Sequence, residues 1–180
     1  MSIPALHHPI IIPKLTIDNF FSLQISHTQH FTSIMMILFS PQFVTTKNFP
    51  RTFALLNNLF PSVLRTRCFN EQHLPFDKEV KETEIAHLFE HIMLEYLCIF
   101  KLKSGYKDVR FHGVTDWDWH TEPIGTFHIK INSGYKNSII FSQALQQSVQ
   151  LMKVILSSNY LKSESFKQSP IIFNSASSEV

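Results

Sequence analysis

Glycine is scarce in this chain, with four residues in 180. A phosphate-cradling loop needs several glycines within one turn. Neither the GxxxxGK[ST] nor the GxGxxG pattern occurs, which excludes nucleotide-binding loops of those types. Cysteine is scarcer still. Cys68 and Cys98 lie far apart in sequence; one disulfide is possible, but no framework is implied. Reduced thiols in a cytoplasmic setting are the simpler expectation. Charge of one sign is also lacking: the formal net charge is +2. Lys101, Lys103, Lys107 and Arg110 read as a solvated face, so no nucleic-acid partner is expected. No apolar run reaches the roughly 18–20 residues that span a bilayer. The Ile10-Ile11-Ile12 run is hemmed in by Pro4, Pro9 and Pro13 and follows no basic region, unlike a signal peptide. No membrane partner is expected either.

What is present is enough for one domain with a real core. Hydrophobic residues make up 44% of the chain, and 17 of the residues are Phe. Residues 1–30 read as an N-terminal arm, with an edge strand available at 15–25. The short apolar run at 33–39 has the length of a buried strand. Asn48 and Pro50 are placed to open a helix whose inner face carries Phe53, Leu56 and Phe60, ending near Pro61. Residues 68–81 read as a polar connection and 111–122 as an aromatic, polar loop. Thr126-Phe127-His128-Ile129-Lys130-Ile131 alternates as a half-buried strand. A last amphipathic helix is expected from Ile139 to about Leu156. Residues 158–180 read as a flexible tail. The expectation is an α+β domain over 31–157, a small antiparallel or mixed sheet packed against about three helices.

The chemistry concentrates on the helix expected from Glu82 to about Phe100. At about 100° per residue, Ile85, Leu88, Phe89, Ile92, Met93 and Tyr96 share one side, and Glu84, His87, Glu90, His91 and Glu95 the other. His87 and His91 stand one turn apart on one face, where two imidazoles can share a tetrahedral Zn²⁺. Glu90 is placed to act as base on a metal-bound water, and His-x-x-Glu-His is the inverted zincin order. Glu95 is the nearest acidic candidate for a third ligand, with Asp116, Asp118, His120 or Glu122 as alternatives from the following loop. Set against this, polar outer helix faces commonly carry His and Glu, and the chain has 10 His. The face is unusual in holding no Lys or Arg between Ile85 and Phe100. Cys98 reads as a small packed residue rather than a nucleophile.

The run from Thr83 to Glu95 resembles the helix of the N-terminal domain of cyanophycin synthetases, where a Thr-led helix carries His-x-x-Glu-His, an apolar stretch and Glu. The resemblance extends to Phe49-Pro50 through Phe60-Pro61 and Cys68, to Pro123-Ile124-Gly125-Thr126-Phe127, and to the last helix, covering roughly residues 31–157. It implies an α+β domain and a helix similar to that of pitrilysin-like metallopeptidases. His87, His91 and Glu95 would be metal ligands and Glu90 the catalytic base. The ATP-grasp and ligase domains of the synthetases have no counterpart here, so polymer synthesis is not expected. The implied activity is metal-dependent hydrolysis of cyanophycin-like polymer or another peptide. The alternative is a non-catalytic module that binds such a peptide or a protein partner. One departure is Gly113-Val114-Thr115-Asp116-Trp117-Asp118-Trp119, which stands where the family has a Gly- and Arg-rich stretch.

Overall fold

The computed structural model describes residues 10–68 and 74–165. Five strands form one antiparallel sheet: β1 (Ile10–Ile17), β2 (Phe21–His27), β3 (Thr32–Leu38), β4 (Gly113–Asp116) and β5 (Thr126–Ile131). Their order is β1-β2-β3-β5-β4. Four α-helices accompany it: α1 (Thr52–Leu59), α2 (Phe76–Glu79), α3 (Ile85–Lys103) and α4 (Ser138–Ser165). The fold is α+β, as expected. Among the described residues the helix count is four because the connection read as merely polar contains the single turn α2.

Period-two patterning explains the sheet. Phe21, Leu23 and Ile25 of β2 align with Leu38, Met36 and Ile34 of β3. Met36 and Ile34 align in turn with Phe127 and Ile129 of β5. These side chains are buried on the face that meets the helices. His128 and Lys130 alternate to the exposed face, so the expected strand at 126–131 is confirmed in place and orientation.

Two expectations change. Residues 10–27 are not a loose arm: they form β1 and β2, joined by a tight turn in which Asp18 takes φ +43. That left-handed value is one Asp tolerates better than most residues. The register shifts between Ile12 and Leu15, where Pro13 has no N–H to give. The loop expected at 111–122 contains the edge strand β4, whose four residues are too few to declare a period in the sequence. Residues 1–9 of the expected arm and 166–180 of the expected tail lie outside the described residues, while α4 runs on to Ser165.

α3 is the central helix. It packs on β4, β5 and α4, and the Phe89 ring meets Phe21 of the sheet edge-on at 6.2 Å between centroids. Its N-terminus is pinned to the connection after β3. The Thr46 N–H donates to the Thr83 carbonyl (2.8 Å), the Thr83 N–H donates to Thr46 Oγ1 (2.9 Å), and the Ile85 N–H donates to the Val44 carbonyl (2.8 Å). The residue before the helix is not Thr83. Glu84 instead occupies the cap position, without a side-chain bond, and Thr83 points its hydroxyl at His87.

Candidate metal centre

The polar face of α3 is not a solvated face. His91 is 4% exposed and Glu90 5%. A buried polar group needs a partner, and the two groups find theirs in different places.

His87 and His91 meet Thr66 and Cys68, which follow the 3-10 turn Val63–Arg65, and Phe76 of α2. Their rings lie 4.8 Å apart, edge-on. Phe76, fully buried at the start of α2, stacks on the His91 ring at 3.7 Å and 13° and meets His87 edge-on at 6.0 Å. Each Nδ1 has a hydroxyl neighbour: Thr83 Oγ1 lies 2.8 Å from His87 Nδ1, and Thr66 Oγ1 lies 2.8 Å from His91 Nδ1. Cys68 Sγ stands 3.4 Å from His87 Nε2. One ligand atom each from Cys68, His87 and His91 lies within 4.8 Å of the others, so this trio can hold a metal ion.

Electrostatics favours the same chemistry. Burial pulls the His91 pKa down to about 3, with the neighbouring His87 adding to the effect, and burial also lowers that of His87. Both imidazoles are therefore neutral at pH 7, the form that donates a lone pair to a metal. The donor set is two imidazoles and one sulfur, which suits borderline-soft Zn²⁺.

Glu90 faces elsewhere. Thr115 Oγ1 of β4 donates to Glu90 Oε2 at 2.5 Å. A Cβ built on Gly113 would fall 2.6 Å from Glu90 Oε1 and 2.9 Å from its Cγ. The missing side chain at Gly113 is therefore what lets α3 bring a carboxyl against β4. Burial raises the Glu90 pKa to about 7, and the Thr115 bond opposes the rise. Helix geometry accounts for the divergence. Glu90 is about 100° around the axis from His91, far enough to meet β4 while the histidines meet α2.

Glu95 is half-buried on α3 beside Cys98, whose thiol pKa is raised mainly by burial, and Glu95 adds to the rise. Glu95 is not in the converging trio. The loop alternatives are engaged locally. Asp116 Oδ1 accepts from the Trp117 N–H, Asp118 Oδ1 accepts from the His120 N–H, and Glu122 pairs with His128 at 2.8 Å. The residue missed by sequence reasoning is Cys68. It lies nineteen positions before His87, outside the short spacings of familiar zinc patterns, and no disulfide joins it to Cys98. Considering every Cys and His together as soft donors was the available signal.

A shallow groove adjoins the centre, lined by Phe53 and Asn57 of α1, by Pro61, Leu64, Arg65 and Thr66, and by Pro75 and Asp77. Thr66 belongs to both groove and centre. Among the described residues, no helix is long and apolar enough to cross a membrane. Comparison of the chain with family models, with curated proteins and with solved structures finds no match.

Proposed function

We propose that this domain binds one Zn²⁺ through Cys68, His87 and His91, and that it is a metal-dependent hydrolase of peptide-like substrates. The observation that carries the metal reading is the convergence of three donor atoms within 4.8 Å of one another, with a threonine hydroxyl behind each imidazole. Three protein donors leave a tetrahedral ion one position for water, the arrangement of catalytic rather than structural zinc sites. Zinc so bound acts as a Lewis acid and lowers the pKa of that water toward neutrality. The residues of the chain hold the ion, keep both imidazoles neutral and shield them beneath Phe76. In this reading Cys68, not Glu95, is the third ligand. Glu90 fastens α3 to β4 instead of acting as base. The groove beside Thr66 offers apolar walls for a peptide, and the helix resemblance alone carries the narrower class, cyanophycin-like polymer.

The position of Glu90 favours a second reading. No carboxylate of the described residues joins the trio, so nothing among them is placed to take a proton from the water. That suits a zinc-stabilised module that binds peptide without cleaving it.

Elemental analysis of the purified protein separates these readings. Stoichiometric zinc that is lost in Cys68→Ala supports the centre, and zinc-free protein after reconstitution rules it out. Zinc-loaded protein that leaves a mixed peptide library intact by mass spectrometry favours the binding module.

A further inference from the structure

The centre contains a hydroxyl with one proton and two claims on it. Thr66 follows the 3-10 turn Val63–Arg65, and its Oγ1 donates to the Val63 carbonyl at 2.7 Å. The same oxygen lies 2.8 Å from His91 Nδ1. A hydroxyl has a single proton to donate and lone pairs with which to accept. With that proton on the Val63 carbonyl, Thr66 can only accept from His91. The Nδ1 of a neutral His91 must therefore carry the ring hydrogen, and its Nε2 holds a bare lone pair.

We infer that Thr66 is the positioning residue of the metal centre: its hydroxyl, held by the Val63 carbonyl, fixes His91 in the Nδ1–H tautomer and leaves Nε2 as the ligand atom. This rests on the metal reading for its purpose, though not for its geometry. Outer partners of metal-bound histidines act in the same way: they orient the ring and select its tautomer. The stack of Phe76 holds the plane of the ring, while Thr66 sets which edge bears hydrogen. His87 differs. Its Nδ1 also meets a hydroxyl, that of Thr83, but among the described residues that hydroxyl has no second acceptor, and its Nε2 faces Cys68. The contacts of His87 therefore leave its tautomer open, whereas those of His91 fix one.

The test uses the full-length chain, uniformly labelled with ¹⁵N and stripped of metal. Long-range proton–nitrogen correlation spectra report which ring nitrogen of His91 is protonated. Wild type and Thr66→Ser are expected to show Nδ1–H. Thr66→Val is expected to lose that preference and to bind zinc roughly ten- to a hundredfold more weakly, as outer-partner substitutions do. A metal-free wild type with its proton on Nε2 overturns the inference, and so does a Thr66→Val protein with unchanged tautomer and zinc affinity. The wild-type and Thr66→Ser spectra remain decisive if Thr66→Val fails to fold. Failure to bind zinc with His91 in the Nδ1–H form would count against the metal reading while upholding the tautomer assignment.

Discussion

Two flanks of α3 bury polar groups within one turn of each other, and they do so for opposite ends. On the β4 flank, Glu90 is closed in by Gly113 and bonded by Thr115. On the α2 flank, His87 and His91 meet a thiol, two hydroxyls and an aromatic lid. Desolvation acts on both and always against the charged form. It raises Glu90 toward a neutral acid and lowers His91 toward a neutral base. The first outcome suits an anchor between helix and sheet. The second suits a lone pair waiting for a cation. One helix thus carries an anchored acid on one flank and a pair of neutral imidazoles on the other, about 60–100° apart around its axis.

The sharpest way to break this contrast is with metal. His87→Ala should weaken zinc binding by roughly a hundredfold or more, given the large binding energies shared among few ligands. Glu90→Gln should keep zinc at full stoichiometry. Equal losses in the two variants, measured by competition with a chromogenic chelator, would merge the two flanks into one site.

Acidity tests the same contrast with opposite signs. Glu90 has its pKa raised from 4.5 to about 7 by the fold, so its contribution is full below pH 4.5 and is lost as pH rises through 7. His91 has its pKa lowered from 6.5 to about 3, so its contribution is full above pH 6.5 and is lost as pH falls toward 3. Urea midpoints of metal-free protein should therefore show Glu90→Gln gaining on wild type between about pH 4.5 and 7. The gain should reach at most about 3 kcal/mol. Parallel curves across that window would return Glu90 to water.

Packing gives a smaller effect. Gly113→Ala forces a methyl group into the Glu90 side chain and should destabilise by about 1–3 kcal/mol. In a Glu90→Ala background the same change should cost less by about 1 kcal/mol, which a double-mutant cycle on thermal unfolding would read. An additive cycle would mean that Gly113 is required for some other reason. Smallest of all, Thr115→Val should cost about 1 kcal/mol and move the carboxyl pKa higher still, since the lost bond opposes the rise. A falling pKa, followed by carbon NMR of the labelled side chain, would contradict the assigned donor.

Much of the fold was legible because periodicity is local. The strand at Thr126–Ile131 declares itself by alternation, and α3 by its apolar stripe and long run without a breaker. β4 was illegible because four residues of an edge strand are too few to carry a period. β1 and β2 were read as an arm because prolines dominate the first residues, although the alternation of Phe21, Leu23 and Ile25 was there to be seen. At the site, His87 and His91 were found from spacing alone, since one turn of helix is a fixed geometry. Glu90 shared the motif but not the destination.

The residues themselves therefore determined the α+β class, the central helix and the pairing of two imidazoles along it, because each depends on spacing within a few residues. Tertiary structure decided the third donor, the lid and the fate of the acid. Cys68, Phe76 and Thr66 reach His87 and His91 only when the segment after α1 folds back over α3, and β4 captures Glu90 only when the sheet closes beside it. Contacts between distant stretches of chain leave no period in the sequence, so only the packed domain could show which polar groups meet.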